Sequence, residues 1–129
     1  MAAYEGQQSS FGELTASADL SSKQYHFVKL SAATTVTVCA AITDKPIGVL
    51  QNNPESGGQA IVTTHGLSKL VADGTIAAGN ILGTSADGQG DAIAAGTDTT
   101  VYVAGQAIGA ASAGETFTAF INITNARAA

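Results

Sequence analysis

Residues 46–84 read PIGVLQNNPESGGQAIVTTHGLSKLVADGTIAAGNILGT, a succession of short apolar runs separated by glycines. Each run is long enough for a β-strand and too short for a helix. The glycines can adopt the positive φ that a sharp chain reversal requires. The same rhythm resumes in residues 99–109 (TTVYVAGQAIG) and 113–124 (AGETFTAFINIT), so the pattern predicts an all-β fold.

Two runs upstream of this stretch predict a β-hairpin. Residues 24–30 (QYHFVKL) alternate in part and residues 34–40 (TTVTVCA) alternate cleanly between apolar and polar side chains, with residues 31–33 as the connection. Other strands are expected at residues 11–15, 47–50, 59–64, 67–72, 80–84, 101–108 and 116–124, with His65-Gly66 as a break. Residues 85–100 (SADGQGDAIAAGTDTT) predict a long polar loop, which in a compact domain is usually functional or mobile. No segment has the period of an amphipathic helix, so little helix is expected.

The chain divides into a short arm and one domain. Residues 1–10 (MAAYEGQQSS) are small and polar apart from Tyr4, and we expect a flexible, extended N-terminal arm. Residues 11–129 are expected to form a single compact domain like a small β-barrel or β-sandwich. The arm has neither the charge nor the apolar run of a signal peptide, and no stretch resembles a membrane span. We therefore expect assembly in a cytosol and no membrane partner.

Composition narrows the class of function. Alanine, glycine and threonine supply 55 of the 129 residues, so the core is built from small side chains and an assembled state would add stability. Charged residues make up 12%, about half the usual quarter. A net charge of −5 with scattered cations argues against nucleic-acid binding. The lone Cys39 cannot form an intrachain disulfide and is expected to be a buried thiol.

The reactive side chains have no arrangement typical of an enzyme. The Asp87–Asp91 stretch (DGQGD) has two carboxylates that could hold a cation, but it lacks EF-hand spacing and fits a plain surface turn better. His26, His65 and Cys39 are too widely spaced for a zinc motif, and His26 is expected to face solvent or a neighbouring subunit. The aspartates are all expected in turns: Asp19, Asp44, Asp73, Asp87, Asp91 and Asp98. We therefore predict no catalytic residues, no metal and no cofactor.

The order of short motifs from residue 47 to 121 resembles that of the capsid decoration, or cement, proteins of tailed bacteriophages. The residues that carry the resemblance are IGVL (47–50), GQAIV (58–62), LSKLVADG (67–74), IAAGN (76–80), YVAGQA (102–107) and AGE (113–115), with LSSKQY (20–25) upstream. The resemblance implies a compact barrel-like domain that binds the outside of the head, bridges major capsid subunits and stabilises the shell. It implies a homo-oligomer, most simply a trimer, assembled in the host bacterial cytoplasm and located on the capsid surface.

Within that interpretation, Tyr4, Gln7 and Phe11 are the expected contacts to the capsid or to a neighbouring subunit, because they are the larger side chains in and beside the arm. Two other interpretations remain open. The chain could be a tail or fibre-base module whose loop at residues 85–100 recognises a ligand. It could instead be a small cytosolic β-barrel that binds a metabolite or serves as an enzyme subunit, which would require a pocket with converging polar groups.

Overall fold

The computed structural model describes residue 6 and residues 8–128. It is all-β, as the sequence predicts, and within the described residues it contains no helix that could span a membrane. The strands are β1 (Gln8–Ala16), β2 (Phe27–Ala32), β3 (Thr35–Val38), β4 (Gly48–Leu50), β5 (Gln59–Val71), β6 (Ile81–Thr84), β7 (Gly90–Ala92), β8 (Gly105–Ala107) and β9 (Thr116–Asn122).

The first five strands close into a barrel. Their order around the barrel is β1-β3-β2-β4-β5, and β5 pairs back to β1. The β1–β3 pair is parallel and the other pairs are antiparallel. The β2–β3 hairpin confirms the prediction from alternation, with its turn at Ala33 and Thr34. Closure leaves no free edge in this part of the sheet, because every strand has a neighbour on both sides.

The remaining strands form a second ring on the same sheet. The order continues β5-β9-β8-β6-β7, and a parallel bridge between Gly90 in β7 and Ala72, just after β5, brings the end of the series back to its start. The Asp73 N–H also donates to the Gly90 carbonyl at 2.9 Å. Strand β5 therefore takes part in both rings. Its first half belongs to the barrel, and its second half belongs to the second ring.

Each ring encloses its own hydrophobic core. The barrel core contains Leu14, Ala16, Leu20, Val28, Val36, Leu50, Ala60 and Val62. The second core contains Phe27, Cys39, Val49, Leu70, Ala72, Ile76, Leu82, Ala104, Ala107, Ala111, Phe117, Ala119 and Ile121. Successive side chains of a strand point to opposite faces. Thus Val28 and Leu50 fill the barrel while Phe27 and Val49, one residue earlier on β2 and β4, pack into the second core.

Three expected boundaries differ in the structure. His65-Gly66 does not break a strand, because Gly66 takes a φ of 110° within the continuous β5. The expected strand at residues 101–108 is reduced to β8, because residues 101–103 bond to the C-terminal segment instead: Val103 donates to the Ala126 carbonyl and Ala128 to that of Val101. The expected loop at residues 85–100 contains β7.

Strand β1 begins at Gln8, three residues inside the segment expected to be an arm.

Candidate functional site

A groove opens where the two rings meet, and the topology explains it. Strand β1 pairs with both Thr63 and His65 of β5. Strand β4 pairs with β5 at Thr63, and β9 pairs with it from His65 onward. Strands β4 and β9 must therefore both lie along the edge of β5 that is opposite β1. If both strands continued along this edge they would collide beside Thr64, so the residues before β4 and the residues after β9 diverge there.

We call this cleft the seam groove, and its volume is about 580 Å³. It is lined by Lys29, Leu30, Lys45, Pro46, Ile47, Thr64, His65, Ile123 and Asn125. Its apolar floor includes Leu30, which is 52% exposed although it lies in a strand. An exposed leucine beside half-buried isoleucines is available to an apolar group from a partner.

The charges around the seam groove are unevenly compensated. Lys29 Nζ lies 2.8 Å from Asp44 Oδ2, which also accepts the amide hydrogens of Ala40 and Ala41. Partial burial raises the pKa of the Asp44 carboxyl, but these hydrogen bonds outweigh it and hold the pKa below its ordinary value. Lys45 is exposed and has no ion pair with any other described residue. No lining residue is acidic. The groove is thus a positive site on a chain of net charge −5.

A second surface crosses the outer side of the second ring, and we call it the uncharged face. It is a row of paired residues on four neighbouring strands: Leu67 pairs with Phe120, Phe120 with Gln106, and Gln106 with Ile81. Phe120 is 43% exposed and Ile81 is 42% exposed. The shallow depressions on either side of Phe120 are lined without any lysine, arginine, aspartate or glutamate.

The N-terminal segment enters beside the uncharged face. The Gly6 N–H donates to the Leu67 carbonyl at 3.4 Å, and Gln8 Nε2 donates to the same oxygen at 2.7 Å. Of the expected contact residues, Tyr4 and Gln7 lie outside the described residues. The backbone of Phe11 lies in β1, in register with Val62 of β5. These contacts therefore stay predictions.

The expected recognition loop at residues 85–100 is anchored over its first part. Ser85 Oγ accepts the amide hydrogens of Asp87 and Gln89 at 3.1 Å each. The Gly88 carbonyl accepts the Phe27 N–H at 2.6 Å, and Gly88 itself is buried. The longest exposed run in this loop is residues 94–97, closed by a hydrogen bond from the Ala94 N–H to Asp98 Oδ2, and residues 86–87 and 99–100 are exposed as well.

The carboxylates are mostly turn residues, as the sequence indicates. Asp19 and Asp98, like Asp44, accept amide hydrogens from nearby backbone. Asp91 is a correction: it lies in β7, and burial together with the charge of Asp73 raises the pKa of its carboxyl. Among the described residues no three acidic, histidine or cysteine side chains come together as metal ligands would.

Cys39 is fully buried, as expected, and burial raises the pKa of its thiol to about 12. A thiol with so high a pKa stays protonated at neutral pH and is a poor nucleophile. The prediction that Cys39 is a buried thiol is therefore confirmed.

The sequence predicts that His26 faces solvent or a neighbouring subunit, but its side chain is buried and only 7% exposed. Tyr25 has a φ of 64°, so strand alternation starts at Phe27 and does not extend back to His26. The His26 Nδ1–H donates to the Gln24 carbonyl at 3.0 Å. Burial lowers the pKa of the imidazole below its ordinary 6.5, and the charge of Lys23 lowers it as well. The hydrogen bond to Gln24 and the charge of Asp87 raise this pKa, but they do not restore the ordinary value.

Because the pKa of His26 is lower in the folded state, the unfolded chain takes up the proton first. Stability should therefore be at its full value above pH 6.5 and fall as the pH drops from there toward the folded-state pKa. Urea unfolding at pH 7.5 and 5.5 measures this loss. The slope should persist in His65→Gln, whose histidine is exposed, and shrink in His26→Gln. An unchanged slope in His26→Gln would contradict the assignment.

Comparison with known proteins bears on the fold. No protein-family model matches the chain, and no curated protein sequence matches it. Among solved structures, the chain is similar to the one described as the N base of head fiber gp8.5 in bacteriophage phi29. The TM-score is 0.66 at 20% sequence identity, over 94% of this chain and 99% of the other. The TM-score shows that the two chains share a fold, and at this low sequence identity the similarity shows the fold alone.

Proposed function

We propose that the chain is a structural, non-enzymatic protein of a tailed-phage virion, attached to the outside of the head as a decoration protein. The observation that carries the proposal is the similarity of its fold, over nearly the whole of both chains, to the base of a phage head fibre. The motif order that resembles decoration proteins supports the same class. In this role the major capsid protein is the partner, and the chain bridges neighbouring capsid subunits after assembly in the bacterial cytoplasm.

The uncharged face suits attachment to a capsid lattice. Its exposed Phe120 and Ile81 supply apolar area. Because the face carries no charge, neither a positively nor a negatively charged partner surface would be repelled by it. Many copies on one lattice make weak single contacts sufficient, since they engage together. Tyr4, Gln7 and Phe11 are proposed as further contacts, to the capsid or to a neighbouring copy in a homotrimer. Neither reactive side chains, a metal nor a cofactor is needed.

A matched pair of variants tests the capsid role. Ile81→Asp places a charge on the uncharged face, whereas Ile42→Asp makes the same change at an isoleucine of similar exposure elsewhere, 45% against 42%. We expect Ile81→Asp to reduce affinity for purified heads of the encoding phage by about tenfold or more, because it removes an apolar contact and buries a charge. Co-sedimentation with the heads measures bound protein. Equal binding by both variants, or no binding by the unchanged protein, would exclude this role.

A second candidate is the base module of a fibre, which the same fold similarity favours directly. A base must carry a further segment or partner, whereas a decoration protein covers the lattice as a separate unit. Electron microscopy of particles distinguishes the two: density at many equivalent lattice positions supports decoration, and density beneath a projecting fibre supports a base.

A further inference from the structure

The seam groove has the chemistry of a site for an apolar side chain next to a carboxylate. Leu30, Ile47 and Ile123 provide the floor. Lys45 also lines the groove and has no ion-pair partner among the described residues, because the carboxylate of the adjacent Asp44 is bonded to Lys29. A cation left unpaired beside an apolar surface favours an anionic group whose neighbour is hydrophobic, because one ligand then satisfies both. The five lysines and arginines of the chain include two in this groove.

The first five residues of the chain, MAAYE, have that composition: small apolar residues, an aromatic ring at Tyr4 and a carboxylate at Glu5. Five residues can extend about 17 Å. The first described residue is Gly6, whose N–H donates to the carbonyl of Leu67. Residues 1–5 precede it and are long enough to contact a partner molecule.

The direction of the chain at Gly6 favours a second copy over the groove of the same molecule. Strand β1 runs antiparallel to β5, so from Gln8, paired with Gly66, to Gly6, bonded to Leu67, the chain moves away from Thr64 toward its N-terminus. It also lies along the edge of β5 opposite the seam groove. The segment would have to reverse and cross β5 to enter its own groove, whereas a neighbouring molecule needs no reversal.

We propose that the seam groove receives residues 1–5 of a second copy of this chain, with Tyr4 on the apolar floor and Glu5 beside Lys45. The contact explains why Leu30 and Lys45 are exposed without partners. It depends on the self-association included in the proposed function, and not on capsid binding.

Charge reversal in the full-length protein tests the contact by sedimentation equilibrium. Glu5→Lys and Lys45→Glu should each weaken self-association about five- to tenfold, because an attractive pair becomes repulsive. The double variant should regain the original association constant within about twofold. Tyr4→Ala should weaken association at least about tenfold, since an aromatic side chain is lost from the floor.

Lys23→Glu is the matched control, because it makes the same charge change outside the groove and should leave association unchanged. A monomeric unchanged protein, or single reversals without effect, would overturn the groove contact. Lack of rescue in the double variant would overturn the Glu5–Lys45 pairing. If the variants alter head binding but not association, the segment acts on the capsid and this inference fails while the capsid role stands. If they alter association as expected and no copy binds heads, the capsid role fails and the groove contact stands.

Discussion

Gly105→Ala should lower the free energy of unfolding by about 3 kcal/mol or more, a large fraction of the stability of a typical domain. Gly105 lies in β8 between β6 and β9, paired with Leu82 and Ile121. A Cβ at this position would fall within the contact radius of the Phe120 carbonyl oxygen and lie 3.2 Å from the Ile121 Cα. Both are backbone atoms of β9, so they cannot yield without parting two hydrogen-bonded strands.

Gly74→Ala is the matched control for this substitution. No heavy atom lies within 4 Å of the Cβ that it would add, and its φ is outside the left-handed region. Its free energy of unfolding should stay within about 0.5 kcal/mol of the unchanged protein. Urea denaturation followed by circular dichroism measures both variants. A Gly105→Ala protein as stable as Gly74→Ala would show that β8 and β9 are not packed as described.

Phe27→Ala should reduce the free energy of unfolding by about 3–5 kcal/mol. The Phe27 side chain is fully buried in the second core although its strand belongs to the barrel. Its amide donates to Gly88, and its carbonyl accepts the Cys39 N–H at 3.0 Å. The surrounding backbone is therefore fixed on both sides and cannot collapse into the space that the ring leaves.

Phe120→Ala provides the comparison, because it removes the same ring from a position that is 43% exposed, and it should cost about 1 kcal/mol or less. Strands β2 and β4 each contribute side chains to both cores, and these connections remain when the Phe27 ring is removed. Unfolding of Phe27→Ala should therefore remain a single transition when followed by both circular dichroism and tyrosine fluorescence. Two separate transitions, or equal losses at Phe27 and Phe120, would contradict a core shared in this way.

The local features of the fold could be predicted from the sequence. Glycine spacing and short apolar runs indicate strands because both act over a few neighbouring residues. Alternation in residues 34–40 identified β3 and its hairpin with β2. The burial of Cys39 followed from its apolar surroundings. The pattern misled where one residue departs from ordinary backbone geometry. Tyr25 has a φ of 64° and His26 after it is buried, while Gly66 has a φ of 110° and β5 continues through it.

The candidate surfaces could not be predicted, because they arise from contacts between residues far apart in the chain. The barrel closes through β1 and β5, where the backbone of Phe11 is in register with that of Val62. The seam groove exists because β4 and β9 compete for one edge of β5, and periodicity carries no information about which strands share an edge. Lys45 and Ile123 gave no sequence signal of proximity. The uncharged face required the register that aligns Ile81 with Phe120 through Gln106.

Because β5 is shared by both rings, the two halves of the chain differ in whether they can complete their strand pairing during synthesis. Residues 8–71 contain every strand of the barrel, so they can pair completely while the rest of the chain is still being made. The later strands have no closed arrangement of their own and must grow on the second half of β5 as a template. Until they do, Phe27 and Val49 face solvent on the outside of the nascent barrel. We therefore expect the barrel to form before the second ring, and we expect a truncation that removes β8 and β9 to expose the apolar surface that these strands cover.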